Sequence, residues 1–528
     1  MAFKDLIVSF ILYSCLIGFA IFVVVFWGWS KFGKYAKATK FLKGNKIHTA
    51  SEVEIHLNAS SIASKLKVRK MPLVKDSETR HILITGSTGS GKSNCLHILL
   101  PQIRAANNPA VVVDTEGTMV ERYYRPGKDI IINPFDARSH EWDFWDEITD
   151  ERLTEKVAAS LFPDHPADYY GGDRRWNSWG KMLFLGAIQY LKSSNSKTIN
   201  ALFNLLHRET LETLTGSIKG TDFSGLFDSA SEQNSAPHNI RMTTMEATKW
   251  LKYFVKPKSQ KFSFRKWFGA LDAVKEDRWI FITCDRGDAE FLLPFISSVM
   301  DIAMNSLISL KADHDRRVWF VMDELAKLKY VPTLERNITL LRKYGGCVLA
   351  ATQSFKQLFL HYGRNSGSIM LAQFNTSIIF RIMDSEDAAV IAKRVGDIEI
   401  LQQQKNTSYG ANEIRDGISY TEQRKNKPLV EAGDLASLEQ GEAFVLLPEA
   451  EVAIAKIKTD TVVAPIVIQP DFILDDSARS AAIAEDETAD NVNKGIEQRN
   501  NPELSQKELP VQQVYTKNNR RVVMNKII

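Results

Sequence analysis

The glycine-rich run ITGSTGSGKS at residues 84–93 constrains the fold of this chain more than any other feature. It follows the apolar stretch HILI at 81–84 and precedes SNCLHILLPQIRAA, whose apolar residues recur at helical spacing. Gly86, Gly91, Lys92 and Ser93 fit the pattern G-x-x-x-x-G-K-[ST] without a mismatch. A strand, this loop and a helix in that order predict a phosphate-binding loop within an α/β fold.

Each residue type in this loop suits the binding of a nucleoside triphosphate. Backbone N–H groups can turn inward around the β-phosphate at the start of a helix, where the helix dipole favours an anion. We expect Lys92 to reach the β- and γ-phosphates and the Ser93 hydroxyl to bind Mg²⁺. The predicted cofactors are therefore ATP and Mg²⁺, and a solvated glycine loop is the disfavoured alternative. The predicted binding residues are Gly86, Ser87, Thr88, Gly89, Ser90, Gly91, Lys92 and Ser93.

A phosphate-binding loop needs acidic partners at the end of a neighbouring strand, and two runs compete for that role. RRVWFVMDELAKL at 316–328 delivers Asp323 and Glu324 together. We expect Asp323 to support the Mg²⁺ shell and Glu324 to polarise the attacking water. AVVVDTEG at 110–117 separates Asp114 and Glu116 by one residue, so their side chains alternate in direction. We interpret it as a neighbouring core strand whose Asp114 can still touch the site.

Two further kinds of residue extend the predicted site. Gln353 follows the buried run GGCVLAAT, where a glutamine can sense the γ-phosphate or orient water, or merely cap a loop. Arg342 in ITLLRKYGG and Arg381 in NTSIIFRIMDSEDA are candidates for insertion into the site of a neighbouring subunit. An arginine on a solvated face is the ordinary alternative for both. The predicted catalytic residues are Lys92, Asp323, Glu324, Gln353, Arg342 and Arg381, and the predicted metal ligands are Ser93 and Asp323.

These runs and WIFITCD at 279–285 give at least six candidate parallel strands separated by helical patterns, which predicts a doubly wound α/β sheet. From Ile148 to Leu271 the strand signal fades, and apolar spacings of three and four residues predict an inserted helical domain. Its first long helix follows the stretch at 171–179, where arginines and tryptophans interleave. That pattern fits either a single-strand-binding platform or ordinary packing at a helix start.

The amino terminus predicts one membrane span. The chain from Leu6 to Trp29 has no charged residue and is long enough to cross a bilayer. A cleavable signal peptide would end in small residues, whereas this run ends in tryptophans and then a lysine series. Only Lys4 and Asp5 precede the span, so the positive residues after it place the bulk of the chain in the cytoplasm. The lysines are Lys31, Lys34, Lys37, Lys40, Lys43 and Lys46.

The net charge of +4 over 528 residues is too small to indicate a nucleic-acid partner by itself. The tail from residue 471 has few large apolar residues before Val511, which predicts disorder or loose helix. The predicted domains are a transmembrane anchor at 1–30, a basic juxtamembrane linker at 31–75, a nucleotide-binding domain at 76–147 and 272–470, the all-helical insertion at 148–271 and the tail at 471–528.

The order of these motifs resembles that of the type IV secretion coupling proteins of the TraD kind. HILITGSTGSGKS, ERYYRPGKDIIINPFDARSHEWDFWDE, FVMDELAKL and AATQSFKQL follow one another between about residue 75 and residue 450. NPFDAR followed by a Trp-rich stretch is not a general feature of phosphate-binding loops. The resemblance implies a RecA-like motor domain with an all-helical domain, in a membrane-anchored hexameric ATPase.

The resemblance also implies the partners: single-stranded DNA, a relaxase or relaxosome, the channel components of a type IV secretion system and the bacterial inner membrane. It places Gly86 to Ser93 on the phosphate loop, Asp323 and Glu324 on the acidic pair, Gln353 on the sensor and Arg342 on the finger. Typical members have two amino-terminal spans around a periplasmic loop, whereas this sequence shows one. Two other functions stay open: an FtsK-like translocase of double-stranded DNA, and a nucleotide-switched adaptor that recruits secreted proteins.

Overall fold

Short apolar runs form strands, and longer runs with three- and four-residue spacing form helices, across the residues that the computed structural model describes. Those residues are 13–14, 16–27, 40–165, 174–229, 236–255, 258, 260–274, 277–285, 287–408, 417–449, 453–459 and 469–475. The strands are β1 (Lys40–Lys43), β2 (Ile47–Thr49), β3 (Ala63–Val68), β4 (Met71–Val74), β5 (Ile82–Thr85), β6 (Ala110–Asp114), β7 (Ile130–Ile132), β8 (Glu141–Trp142), β9 (Lys261–Phe262), β10 (Trp279–Thr283), β11 (Val318–Met322), β12 (Gly346–Thr352), β13 (Thr376–Ile379), β14 (Asp397–Ser408), β15 (Gly417–Pro428), β16 (Glu442–Leu446) and β17 (Ile454–Lys458).

Helices connect most strands of the central sheet, and the longest succession of helices lies between β8 and β10. They are α1 (Leu16–Trp27), α2 (Ala50–Ala59), α3 (Lys92–Ala105), α4 (Thr118–Tyr123), α5 (Phe144–Glu147), α6 (Glu151–Leu161), α7 (Arg174–Ser193), α8 (Ile199–Phe203), α9 (Leu211–Ile218), α10 (Leu226–Ser229), α11 (Ala236–Thr248), α12 (Phe264–Ala270), α13 (Ala289–Ile308), α14 (Pro332–Arg336), α15 (Ile338–Leu341), α16 (Phe355–Tyr362), α17 (Arg364–Ala372), α18 (Ser385–Val395) and α19 (Ala432–Ala436).

The central sheet has ten strands in the order β2-β17-β16-β13-β5-β12-β11-β6-β10-β7. The seven strands from β13 to β7 run parallel to one another, whereas β16 is antiparallel to both β13 and β17. All six strands expected from the sequence lie in the parallel block, so the prediction of a doubly wound α/β sheet is confirmed. The sequence did not predict the seventh strand, β7, because its apolar run is only three residues long.

Burial on both faces explains why these strands read as continuous apolar runs. Alternate residues enter different cores, since Leu83 and Val113 lie in one apolar cluster while Ile84 and Val112 lie in the other. Helices such as α3 and α13 cover these faces, and their apolar sides complete the two clusters. The carboxyl ends of β5, β12, β11 and β6 therefore meet at one edge of the sheet.

The stretch between β8 and β10 is helical, from α5 to α12, apart from the short strand β9. The strand β9 pairs in parallel with β8, so the chain leaves and re-enters this stretch at adjacent points. Trp142 lies at that junction and contacts Trp250 and Phe295 through ring distances of 5.8 and 5.5 Å. The recurrence of apolar residues every three and four positions had predicted these helices from the sequence.

Two features were absent from the sequence-based expectation. Residues 40–74, within the stretch expected as a basic linker, form β1 to β4 and α2, with Val53 and Leu73 fully buried. The strands β14 and β15 form a long antiparallel hairpin, which β1 extends into a three-stranded sheet. Their sequences are polar and do not alternate cleanly, so the periodicity gave no strand signal.

The expected amino-terminal span is described only in part. Its apolar helix α1 covers Leu16–Trp27, and the remaining residues of the 6–29 run, apart from Tyr13 and Ser14, lie outside the described residues. Among the described residues, Phe291–Ile308 in α13 is long and apolar enough to cross a membrane, but 67% of it is buried inside the protein. Because most of this stretch is buried among other residues, we interpret α13 as a helix of the protein core.

The chain divides into two compact units, Met1–Ile473 and Leu474–Ile528. The strands and helices that the structure describes lie in the first unit. Most of the second, residues 476–528, lies outside the described residues, as does most of the expected tail.

Candidate nucleotide site

The glycine-rich loop between β5 and α3 adopts a conformation that only glycine tolerates at its key positions. The φ angles of Gly86, Gly89 and Gly91 are +154°, +73° and +124°. A Cβ atom on Gly86 would lie 2.7 Å from Phe380 Cβ and 2.7 Å from Ser90 Oγ. The loop therefore forms a tight cradle of backbone at the amino terminus of α3, which is the geometry that binds phosphate.

Neighbouring strand ends hold this cradle in place. The N–H of Gly86 donates to Thr352 O at 3.4 Å, and the N–H of Ser87 donates to Arg381 O at 2.7 Å. The carbonyl of Ser90 accepts from Gly441 N at 2.9 Å. These bonds come from the carboxyl ends of β12 and β13 and from the turn before β16, so the sheet itself fixes the loop.

Lys92 lies at the centre of the cradle. Its Nζ donates to the carbonyls of Gly86 and Ser87 at 2.8 and 3.1 Å, which folds the side chain back over the loop. Burial lowers the pKa of Lys92, while the carboxylates of Glu324 and Asp323 oppose that shift. Since its present partners are loop carbonyls, Nζ can exchange them for phosphate oxygens.

The acidic pair stands at the end of β11, as the sequence predicted. Burial raises the pKa of Asp323 to about 7, with added repulsion from Asp114, Glu116 and Glu324. Burial also raises the pKa of Glu324, whose Oε1 accepts from the N–H of Gln353 at 3.2 Å. The other oxygen of Glu324, Oε2, is buried and has no hydrogen-bond partner among the described residues. A carboxylate with one oxygen held and one oxygen free can receive a proton from water.

Gln353 connects the acidic pair to the glycine loop. Its backbone contacts Glu324, and its side-chain Oε1 accepts from the Thr88 hydroxyl at 2.6 Å. The glutamine therefore contacts both the loop that would bind phosphates and the residue expected to activate water. The sequence suggested a sensor role, and the structure brings Gln353 to the place where such a role is feasible.

These residues enclose a pocket of about 260 Å³ at the carboxyl edge of the sheet. The residues around it are Thr88, Gly89, Gly91, Lys92, Ser93, Asn94, Glu116, Asp323, Glu324, Gln353 and Gln440. No arginine contributes to this lining. The described residues contain no cluster of three or more His, Cys, Asp or Glu side chains that could hold a metal ion. A Mg²⁺ ion at Ser93 and Asp323 would take its other ligands from phosphate and water, as that ion usually does.

The two arginines proposed as fingers occupy different edges of the sheet. Arg342 is exposed and lies just before β12 begins, at the edge opposite the glycine loop. Arg381 follows β13, and its carbonyl holds Ser87 within the same subunit. Its Nε is buried without a hydrogen-bond partner among the described residues. The single chain therefore brings the Arg381 backbone to the site and leaves Arg342 far from it.

Of the two acids on the rival strand, Asp114 is fully buried and accepts hydrogen bonds from backbone N–H groups. Its Oδ2 accepts from the N–H groups of Met119 and Val120 at 2.7 and 2.8 Å, which fixes the start of α4. Glu116 lines the pocket, and its Oε1 pairs with Lys327 Nζ at 2.7 Å. The sequence offered Glu116 only as the second acid of the rival strand and gave no indication of a role for Lys327. A local signal could have found them, because Glu116 lies two residues beyond the end of β6 and Lys327 lies five residues beyond the end of β11.

The Arg-Trp stretch at 171–179 is described from residue 174 onward. Trp176 and Trp179 contact each other edge to face at 5.2 Å, and both are half-buried against the main core. That arrangement favours the packing interpretation over a platform for stacked bases.

Three buried cysteines, Cys95, Cys284 and Cys347, are free thiols. Burial raises the pKa of Cys95 to about 12, so this thiol is unreactive at neutral pH. All three are residues of the apolar cores.

The comparison with known families decides the classification. Residues 65–460 match the family described as the type IV secretion-system coupling protein DNA-binding domain, which is more than half of the chain. The chain belongs to the type IV secretion coupling proteins. The resemblance noted in the sequence is thereby confirmed, and the α/β core is that of a RecA-like P-loop NTPase.

Individual relatives of the coupling-protein family agree. Coupling protein TraD of Escherichia coli (strain K12) is 27% identical over 457 residues, covering 85% of this chain and 63% of TraD. The chain thus spans less than two thirds of the length of that relative. The structure of plasmid coupling protein TrwB in complex with ADP and Mg²⁺ matches with a TM-score of 0.71 at 26% identity, over 83% of this chain and 98% of TrwB. TrwB in complex with the non-hydrolysable ATP analogue ADPNP matches with the same TM-score and identity, over 82% and 97%.

Proposed function

We propose that this coupling protein hydrolyses ATP and uses the energy to pass relaxase-bound single-stranded DNA into a type IV secretion channel for conjugation. The pocket that joins Lys92, Glu324 and Gln353 supports hydrolysis more strongly than any other observation. The relatives support the choice of nucleotide, since TrwB has been captured with ADP and Mg²⁺ and with an ATP analogue. The family and TraD support transfer of DNA.

The residues present fit a magnesium nucleotide. The cradle has three glycines at positive φ, and Lys92 Nζ donates to the carbonyl of one of them, Gly86. Ser90 Oγ and Glu324 Oε2 are buried without partners among the described residues. Ser93 and Asp323 would hold Mg²⁺, which when bound neutralises charge that develops on the phosphates.

The position of each residue indicates its role in ATP binding and hydrolysis. The backbone of Gly86 to Ser93 binds the β-phosphate, and Lys92 exchanges its bonds with loop carbonyls for bonds with phosphate oxygens. Glu324 accepts the proton of the attacking water at Oε2, while Gln353 keeps Oε1 in place. Gln353 also contacts Thr88, so the state of the loop can reach the water-activating residue.

The completed site needs a second positive charge beside Lys92, and no arginine lines the pocket that the described residues form. An arginine from a neighbouring subunit of a homohexamer would provide it, and exposed Arg342 suits this role better than Arg381, which supports its own loop.

The anchor and domain boundaries belong to the same proposal. Residues 1–30 anchor the protein in the bacterial inner membrane and residues 31–75 follow as the juxtamembrane segment. The nucleotide-binding domain comprises 76–147 and 272–470, the helical domain 148–271, and the tail 471–528. The apolar helix at Leu16–Trp27 and the similarity to TraD support the anchor.

The decisive experiment compares ATP hydrolysis by residues 31–528 with no DNA, with single-stranded DNA and with double-stranded DNA. We expect single-stranded DNA to stimulate the rate and Lys92→Ala to abolish it. Lys356→Ala, which removes an exposed lysine on α16, serves as the matched control and keeps the rate.

Stimulation by double-stranded DNA alone would support an FtsK-like translocase instead. Hydrolysis that is indifferent to both kinds of DNA would overturn the motor and support a nucleotide-switched adaptor for secreted proteins.

A further inference from the structure

An ion pair joins Glu116, which lines the proposed nucleotide site, to Lys327, and it has no role in the function described so far. Glu116 follows β6, and Lys327 lies in the turn that begins with Asp323 and Glu324. Glu116 Oε1 and Lys327 Nζ are 2.7 Å apart, and each side chain is 39% exposed. An ion pair with that exposure contributes only about 0–1 kcal/mol to stability. Its importance therefore lies in where it holds the charge of Lys327.

Lys327 is close enough to the acidic pair to compete with a metal ion for it. Its backbone N–H donates to the carbonyl of Glu324 at 3.2 Å, and its ammonium pairs with Glu116, which lines the same pocket as Asp323 and Glu324. A lysine side chain is long and flexible, and without another partner it would turn toward these buried anions. Glu116 offers that other partner on the adjacent strand, because β6 pairs directly with β11.

The loop that bears Glu116 is fixed from two sides. Asp114 Oδ1 accepts from the N–H of Glu116 at 3.3 Å. On the other side, Gly117 has φ +79°, and a Cβ atom there would lie 2.8 Å from Asp471 Cβ. Residue 469 also bonds to this region, through Gln469 N to Glu121 O at 2.9 Å. The position of Glu116 is therefore determined by packing and is not that of a free surface side chain.

We propose that Glu116 is a positioning residue that holds Lys327 aside, so that Asp323 and Glu324 remain available to Mg²⁺ and water. The inference rests on the proposed nucleotide site. Glu116 would then be a third acid of the site, and it would act indirectly by binding Lys327.

The test measures binding of a fluorescent ADP analogue as a function of Mg²⁺ concentration, alongside ATP hydrolysis, for the wild type and two variants. In Glu116→Gln, Lys327 loses its partner and neutralises the acidic pair, so the Mg²⁺ concentration for half-maximal binding should rise about fivefold. In Glu116→Gln with Lys327→Met, the competing cation is gone, and the wild-type Mg²⁺ dependence should return.

The matched control is Glu155→Gln, which removes a similar half-exposed ion pair, with Lys181 at 2.9 Å, in the helical stretch. It should behave as the wild type in both measurements, and all variants should keep the wild-type melting temperature.

The double variant decides between the roles that Glu116 could have. If the double variant stays as impaired as Glu116→Gln, then Glu116 does not act through Lys327 and the inference is overturned. If Glu116→Gln equals the wild type, the inference is likewise overturned while the proposed site stands. A wild-type protein that binds magnesium nucleotide without hydrolysing it would refute the proposed ATPase, and the binding curves would still decide the role of Glu116.

Discussion

At the scale of single residues, the contact between Thr88 and Gln353 is the most specific feature of the site. The Thr88 hydroxyl is 2.6 Å from Gln353 Oε1, although Thr88 occupies one of the variable positions of the glycine-loop pattern. A short hydrogen bond between the loop and the strand-end glutamine orients the amide group. Because the backbone N–H of the same glutamine donates to Glu324, Thr88 is linked through Gln353 to the residue that we propose activates water.

Replacing Thr88 by Val keeps the shape of the side chain and removes its hydroxyl. We expect the ATPase kcat of Thr88→Val to fall about fivefold to tenfold, since losing one positioning hydrogen bond costs about 1 kcal/mol or slightly more. Nucleotide affinity should change less than kcat, and steady-state kinetics separate the two. Thr88→Ser keeps the hydroxyl and should stay within about twofold of the wild type, whereas equal losses in both variants would contradict this role.

At the scale of elements, Glu147 joins the Trp-rich stretch to α12. Its Oε1 accepts from Phe264 N at 2.6 Å and from Trp142 Nε1 at 3.3 Å, and its Oε2 accepts from Arg265 N at 3.1 Å. The carboxyl group of Glu147 therefore accepts hydrogen bonds from residues at both ends of the helical stretch. Burial raises the pKa of Glu147 to about 7, although these donors oppose the shift.

This pKa gives a pH dependence of stability. The folded protein keeps a proton on Glu147 that the unfolded chain releases above its ordinary pKa of 4.5, so unfolding releases a proton between pH 4.5 and about 7. The contribution of Glu147 to stability is full below pH 4.5 and is lost as the pH rises through about 7. Urea unfolding of Glu147→Gln should lack this slope, whereas Glu155→Gln should retain it; identical slopes in all three proteins would contradict the assignment.

The turn before β12 depends on one glycine. Gly345 has φ +79°, and a Cβ atom there would lie 2.2 Å from the carbonyl oxygen of Arg316. This turn sets where β12 enters the sheet and hence where Gln353 leaves it at the other end.

We expect Gly345→Ala to lower the free energy of unfolding by about 2–4 kcal/mol, because both the backbone angle and the steric contact are unfavourable. Urea denaturation provides the measurement. Gly216→Ala is the matched control, since Gly216 lies within helix α9 and its Cβ would meet no atom within 4 Å. That control should be neutral or stabilising by up to about 1 kcal/mol, and equal destabilisation by the two substitutions would be evidence against the steric argument.

At the scale of the whole molecule, residues 469–473 return to the NPFDAR loop and pack against it. Arg138 Nη1 donates to Pro470 O at 2.7 Å, and Ala137 N donates to Ile473 O at 2.8 Å. Arg138 is itself held by a salt bridge to buried Asp136 at 2.7 Å. The NPFDAR phrase, which the sequence offered only as a family marker, thus holds the last described segment of the first unit.

Two deletions separate the tail from this segment. Removing residues 476–528 should leave ATP hydrolysis within about twofold of the full chain, because Met1–Ile473 form a compact unit. Removing 469–528 also takes away the contacts to Arg138 and Gly117, so we expect a lower rate and a higher Mg²⁺ requirement. Equal rates for the two deletions would show that residues 469–475 do not support the site, and collapse in both would make the tail part of the motor.

Much of the site was predictable because it is encoded locally. The glycine loop, Lys92 and Ser93 follow one another in the chain, and Asp323 and Glu324 end an unbroken apolar strand. Such patterns fix a short stretch of backbone whatever surrounds it. The polar hairpin β14–β15 had no local signal of this kind, because long-range pairing with β1 and within the hairpin defines it.

The sequence by itself determined the kind of fold, the glycine-rich loop between β5 and α3 and the acidic pair at the end of β11, since apolar periodicity and glycine geometry act over a few neighbouring residues. The tertiary structure decided which side chains meet. The order β5-β12-β11-β6 brings Thr88, Gln353 and Glu324 together, and pairs Glu116 with Lys327 across 211 residues of chain. The same order leaves Arg342 at the opposite edge. Strand order results from the packing of the whole sheet, and no local stretch of sequence specifies it.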